Sequence, residues 1–169
     1  GKAFPEKEFL FHQLTAVGYY FAQDEGVVYA TAAFAAVSIS ALTLFAASRI
    51  GVIAAFFLVS LCLLAEPYFA FRLMLIRPHV LAIALFTAAV CATIARRPLL
   101  AGACGFLFSL AYHAFYLPLA VFALGYLTGA VCRDALLRKS SLAVALGVLA
   151  GLFVNPYFPL SVGIASEHL

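Results

Sequence analysis

Cationic and imidazole side chains gather in the middle of this strongly apolar chain, and they are the residues best suited to chemistry. Arg77-Pro78-His79 lies between two apolar runs, with Glu66 and Arg72 shortly before it. His113 follows inside the longest apolar stretch. A guanidinium can hold a phosphate or carboxylate through forked, charge-assisted hydrogen bonds and stays charged in apolar surroundings. A histidine can add a hydrogen bond or a proton transfer. These residue types predict a site for an anionic lipid head group.

Each of these residues also has a purely structural interpretation. Arg72 and Arg77 can extend to the phosphates of surrounding lipids without forming a site. Glu66 stands before a proline, where it can simply mark the end of a helix. His113 is harder to explain in this way, because burying an imidazole without a partner costs free energy. We therefore take Arg72, Arg77, His79 and His113 as candidate phosphate or lipid contacts, with Glu66 and His12 as candidate supporting residues.

The elements that position these residues follow from composition. The 169 residues are 66% hydrophobic and only 10% charged, with a mean hydropathy of +1.11. Soluble domains carry about 25% charged residues, so these values predict an integral membrane protein. The net charge of +3 comes from cations scattered between apolar runs, which argues against a nucleic-acid surface. The four cysteines lack the close spacing of a metal or redox site, and no metal ligand set is evident.

Periodicity divides the chain into two parts. Residues 1–25 begin with acidic residues and continue with apolar side chains at helical spacing, which predicts an amphipathic helix on the outer membrane surface. An ordinary packing helix is the alternative. Residues 26–169 are predicted to form a transmembrane bundle. Residues 27–47 would span about 31 Å as a helix, the thickness of a bilayer core, whereas other apolar runs, at 50–65, 80–95 and 142–154, are shorter. The predicted fold is all-α and polytopic, with five or six spans.

Residues 99–131 admit two interpretations, because 33 nearly uninterrupted apolar residues are long for one span and short for two. A hairpin that turns near His113 to Pro118 is the first, and one long tilted helix is the second. The hairpin agrees with the enrichment of cations on cytoplasmic flanks. It gathers on one side Arg49, Arg96, Arg97, Arg133, Arg138 and Lys139, with Asp134. The other side then holds Lys2, Lys7, Arg72, Arg77, Glu6, Glu8, Asp24, Glu25, Glu66 and Glu167, together with most of the tyrosines.

Small residues recur one helical turn apart in two of the apolar runs. Gly125 and Gly129 form one such pair, and Gly147 and Gly151 form another. This spacing lets two helix backbones approach closely, so we expect both pairs at helix crossings.

The order of several short motifs resembles the membrane-embedded GT-C glycosyltransferases. The resemblance covers most of the chain. It rests on the outer segment 4–12, on Arg77-Pro78-His79 opening a span, on Arg96-Arg97 before a hairpin with His113, and on Asn155-Pro156-Tyr157 closing a later span. It implies a polyprenyl-phosphate-linked sugar donor, an active site at the outer face, and an acidic base in the first outer loop. Because the chain starts inside that loop, a first helix and that acid are expected upstream of Gly1, and no catalytic residue is assigned.

By the same resemblance, Arg77 and His113 match the contacts to the donor phosphate. No cofactor follows from the residues, and a divalent metal stays open. The expected partners are membrane lipid, the polyprenyl-phosphate sugar donor, and further helices or subunits that complete the bundle. The alternative function is a non-enzymatic membrane subunit or transporter, in which the arginines and histidines line a substrate path or bind lipid.

Overall fold

The structure, a computed structural model, describes residues 8–65, 68, 71, 73, 75–156 and 158. Within these residues all regular secondary structure is helical, which confirms the predicted all-α fold. The helices are α1 (Phe9–Ile50), α2 (Val52–Ala65), α3 (Pro78–Ile94), α4 (Pro98–Ala111), α5 (Tyr116–Val131) and α6 (Ala135–Val154).

Helix α1 is broken into two antiparallel arms at Ala22 and Gln23. Ala22 has φ −144° and ψ 24°, and Gln23 has φ 55° and ψ −138°, so neither residue is helical. The ring centroids of Phe11 and Phe34 lie 6.4 Å apart, whereas 23 residues of straight helix would separate them by about 35 Å. We call residues 9–21 the first arm and residues 24–50 the second arm. The predicted boundary after residue 25 falls close to this break, and a membrane-surface position for the first arm stays a prediction.

Two glycines allow the arms to touch. A Cβ atom built on Gly18 would lie 2.5 Å from the carbonyl oxygen of Gly26, and one built on Gly26 would overlap the carbonyl of Gly18. Real Cβ atoms do not approach backbone oxygens so closely, because the overlap is strongly repulsive. The backbones of the two arms are therefore in direct contact just before and just after the break.

The core of the bundle lies where α6 packs between α4 and α5. Its buried residues include Cys104, Phe122, Val144 and Val148. A Cβ on Gly147 would meet the carbonyl of Gly102, and a Cβ on Gly151 would lie 2.5 Å from the carbonyl oxygen of Phe106. The second predicted glycine pair thus lies at the crossing of α6 with α4. The first pair lies where α5 faces α6.

The interpretation of residues 99–131 is settled by the turn between α4 and α5, which covers residues 112–115. The hairpin prediction is confirmed, and one long helix is wrong. Pro118 lies inside α5 and is fully buried, so the turn ends earlier than predicted. Among the described helices, only α1 and the 20-residue α6 are long and apolar enough to cross a bilayer, while the other four have 14–17 residues.

Candidate functional site

The N-terminus of α3 places Arg77 and His79. Arg77 is the N-cap, with an extended backbone at φ −143° and ψ 149°, and Pro78 occupies the first turn. Proline suits this position because its fixed φ is already helical and its missing N–H would have no partner inside the helix. Arg77 is exposed at the end of the helix, whereas His79, two residues later, is half-buried.

The C-terminus of α4 places Tyr112 and His113. Tyr112 is the C-cap of α4 and has an extended backbone, at φ −150° and ψ 140°. Its amide donates a hydrogen bond to the carbonyl of Phe108 at 2.9 Å. The rings of Tyr112 and His113 are 4.6 Å apart between centroids. The Tyr112 ring also meets the Phe108 ring edge-on at 6.3 Å. The end of α4 therefore presents a tyrosine and a histidine side by side.

Two adjoining cavities meet at His79, Ile83 and Tyr112. The first has a volume of about 290 Å³ and lies between α3, α4 and α5; it is lined by His79, Ala82, Ile83, Phe86, Phe108, Tyr112, Leu117 and Val121. The second, of about 510 Å³, is lined by Tyr68, Phe71, Leu75, Arg77, His79, Ile83 and Tyr112. An apolar cavity thus adjoins a larger one that is lined in part by Arg77. We call the two together the composite pocket.

His113 lies beside this pocket and faces the start of α1. Its Nδ1 is 3.5 Å from Oε1 of Glu8, and both side chains are more than three-quarters buried, at 22% and 23% exposed. A carboxylate at this distance restricts the orientation of the imidazole ring. The sequence could not pair these residues, because they are far apart in the chain and no periodic pattern joins them.

The structure brings together some of the predicted site residues and leaves others apart. Arg77 and His79 share the composite pocket, and His113 is next to Tyr112, which lines it. His12 is exposed on the first arm, where its ring meets that of the neighbouring Phe11 at 5.7 Å. Glu66 and Arg72 lie outside the described residues. Tyr68, Phe71 and Tyr112 were not predicted as site residues. The concentration of tyrosines on one side of the predicted topology was a signal for Tyr68 and Tyr112 but not for Phe71.

No group of three or more histidine, cysteine, aspartate or glutamate side chains that could hold a metal ion occurs in the described part of the chain. The composite pocket instead offers a cation, an imidazole, hydroxyl groups and aromatic faces. This set can bind an anion through Arg77 and an apolar chain through the first cavity. Transfer of a proton would fall to His79 or His113.

An ion pair lies at the end of the bundle opposite Arg77. Arg96, in the turn before α4, donates from Nε and Nη2 to Oδ2 of Asp134 at 2.9 and 2.7 Å. Asp134 Oδ1 accepts a hydrogen bond from the amide of Leu137 at 2.9 Å, which caps α6. The pKa of Asp134 is lowered below its ordinary value. The hydrogen bond from the Leu137 amide is the larger cause, and the hydrogen bond from Arg96 is the second. The two turns that contain Arg96 and Asp134 therefore lie together at one end of the described bundle, and Arg77 lies at the other.

Comparison of the chain with protein-family models, with curated proteins and with solved structures finds no match. The GT-C resemblance consequently rests on the order of short motifs alone. The composite pocket is a separate observation, made on the geometry of this chain.

Proposed function

We propose that the chain is a multi-pass membrane protein in which all the helices, short ones included, lie within the bilayer. Helix α2 contains no charged residue, and Ile53, Phe57 and Leu64 are 76%, 67% and 78% exposed. An apolar surface of this kind is costly in water, and lipid chains cover it without that cost. Helices of 14–17 residues fit a bilayer by local thinning and by interfacial side chains at their ends.

In this membrane, the composite pocket binds the phosphate and first isoprene units of a polyprenyl-phosphate-linked sugar. The observation that carries the proposal is that His79 lines both cavities and Arg77 lines the larger one, which adjoins the apolar cavity. Arg77 neutralises the phosphate, and the aromatic side chains around Phe86 and Phe108 receive the isoprene chain. The exposed Leu117 and Val121 lie on the lipid side of the first cavity, so the chain can enter between the helices.

The activity we propose is transfer of the sugar from this carrier at the extracytoplasmic face, as the GT-C resemblance implies. His113, whose ring orientation is restricted by Glu8, lies beside the pocket and donates a hydrogen bond to the leaving phosphate. Neither residue is assigned as the base that activates the acceptor. Further helices or subunits supply the rest of the active site.

A non-enzymatic lipid-binding subunit or transporter is the second candidate, and one observation favours it. The described side chains that line the composite pocket include a cation and an imidazole, and no carboxylate is among them. A binding site needs no general base, whereas a transferase does. Transfer activity separates the two candidates.

Sugar transfer from a polyprenyl-phosphate donor in membranes that contain the chain is the decisive assay. Arg77→Ala and His113→Ala should each lower the transfer rate by about 30-fold or more, since a charge-assisted contact contributes about 2–3 kcal/mol. Arg97→Ala is the matched control, because it removes an exposed cation at the other end of the bundle. Wild-type rates in both site variants, with the protein inserted normally, would show that the assignment is wrong.

A further inference from the structure

A third cavity lies at the end of the bundle opposite Arg77. It has a volume of about 220 Å³ and is bordered by α5 and the first two turns of α6; it is lined by Tyr126, Ala135, Arg138, Lys139 and Leu142. Two adjacent cations therefore share a cavity with a tyrosine and a leucine. Neither Arg138 nor Lys139 takes part in the composite pocket.

The charge of this cavity is not neutralised by the neighbouring acid. Asp134 lies one turn before Arg138, but its Oδ2 is occupied by Arg96 and its Oδ1 by the amide of Leu137. Nε of Arg138 is fully enclosed and has no hydrogen-bond acceptor among the described residues. No acidic side chain of the described residues pairs with Arg138, so an anion in the cavity would stabilise the charge of the guanidinium.

Packing fixes the stem of Arg138 in place. A Cβ built on Gly129 would lie 2.9 Å from Cγ of Arg138, so the aliphatic part of the side chain rests on the backbone of α5. Lys139 is exposed beside it. A guanidinium on a packed stem next to an exposed ammonium provides a forked contact and a point charge, which together suit the oxygens of a phosphodiester.

The remaining lining residues point to a lipid as the source of that phosphate. Tyr126 and Leu142 are 41% and 48% exposed on the outer surface of α5 and α6. In a membrane these positions contact acyl chains, and a tyrosine ring at a helix end favours the head-group region. Basic cavities between helices on the cytoplasmic side of membrane proteins are known to hold anionic head groups.

We infer that Arg138 and Lys139 bind the phosphate of an anionic phospholipid, whose acyl chains lie along Tyr126 and Leu142. The inference rests on the proposed membrane location but not on the proposed transfer activity. The site is separate from the donor site, because Arg96 and Asp134 fix the α5–α6 turn at the end of the bundle remote from Arg77. The bound phospholipid would hold α5 and α6 at a constant depth in the bilayer.

Native mass spectrometry of the full chain in neutral detergent, titrated with phosphatidylglycerol or phosphatidylcholine, tests this site. The wild-type chain should retain one phosphatidylglycerol in preference to phosphatidylcholine. Lys139→Gln should weaken that retention about fivefold, as expected for one cation at a membrane surface. Arg138→Lys keeps the charge and the packed stem but loses the forked contact, so it should weaken retention as well.

Arg133→Gln is the matched control, since it removes an exposed cation from the same turn that does not line the cavity. The inference is overturned if both phospholipids are retained equally, or if Arg133→Gln weakens binding as much as Lys139→Gln does. Displacement of the lipid by millimolar inorganic phosphate would show a site for a free anion instead. Sugar transfer should be unchanged in Lys139→Gln. Phospholipid retention therefore tests this site, and the transfer rate tests the proposed activity separately.

Discussion

Arg96 and Asp134 form an ion pair that joins two turns of closely similar geometry. Arg96 and Arg133 each follow a helix and have left-handed backbones, with φ of 58° and 56°. The amide of the residue that follows each arginine donates a hydrogen bond to a carbonyl in the last turn of the helix. Arg97 donates to Ala92, and Asp134 donates to Gly129. This is the hydrogen-bond pattern of a Schellman motif, in which glycine is usual at the left-handed position. Arginine occupies both positions instead, so a cation lies in each of the two turns that the ion pair joins.

The first prediction concerns Asp134, which both caps α6 and pairs with Arg96. Its native pKa is lowered, first by the Leu137 amide and then by Arg96. A group with a lowered native pKa stabilises the fold fully above its ordinary value, here 3.8, and loses that contribution as the pH falls through the lowered native value. Asp134→Asn retains a capping oxygen but loses the charge, so it should melt at a lower temperature than wild type at neutral pH.

The difference in melting temperature between wild type and Asp134→Asn should shrink as the pH is lowered below 3.8. Thermal unfolding in detergent, followed by circular dichroism at neutral and at acidic pH, measures it. Arg97→Gln, which removes a neighbouring cation outside the pair, controls for the general effect of charge. A difference that is independent of pH would show that the pair does not stabilise the fold.

The second prediction concerns the break in α1. Gln23 has φ 55° and ψ −138°, a backbone conformation that glycine adopts readily and other residues adopt at a cost of about 1–3 kcal/mol. Gln23→Gly should therefore raise the free energy of unfolding, by about 1 kcal/mol after the added flexibility of the unfolded chain is included. Ala22→Gly is the control, because Ala22 has a negative φ and gains only flexibility. Equal effects of the two substitutions would contradict the left-handed backbone conformation of Gln23.

Local sequence rules predicted the parts of the fold that depend on neighbouring residues. Pro78 at the first turn of a helix, the turn that contains His113, and the glycine pairs at helix crossings all follow from residue type and spacing. The break at Ala22 and Gln23 does not, because neither residue is a proline or a glycine. The contact between Gly18 and Gly26 and the packing of Phe11 on Phe34 stabilise a turn that the local sequence disfavours.

The candidate site was predicted only in part for a similar reason. Arg77 and His79 are close in sequence, so their common position at a helix end could be inferred. Tyr112 joins the two cavities only because α4 ends beside the start of α3, and Glu8 reaches His113 only because the first arm folds back. Both relationships depend on how helices pack, which periodicity does not encode.

The third prediction concerns topology. Because Arg96 bonds to Asp134, the turns at residues 95–97 and 132–134 must lie on the same side of the membrane. In a chain whose native cysteines are replaced by serine, Arg97→Cys and Arg133→Cys should both resist an impermeant maleimide in intact cells and react after permeabilisation. Ile76→Cys, exposed beside Arg77, should react in intact cells. Labelling of only one of the first two positions would be incompatible with the ion pair.

The fourth prediction concerns the apolar half of the composite pocket. Val121 lines the first cavity, so Val121→Trp should fill it and exclude an isoprene chain while every polar residue stays in place. Leu124 lies on the same helix, is 65% exposed and does not line the cavity. Leu124→Trp is therefore the matched control, and it should bind lipid as the wild-type chain does.

The identity of the lipid that co-purifies with the chain is the most direct test of the central claim, that the composite pocket binds a polyprenyl phosphate. Mass spectrometry of extracts from the purified protein should find a polyprenyl phosphate or its glycosylated form with wild type and with Leu124→Trp. Arg77→Ala and Val121→Trp should each reduce its amount at least tenfold, by about 1.4 kcal/mol or more. Ordinary phospholipid alone with the wild-type chain, or equal polyprenyl phosphate in all four proteins, would contradict the claim.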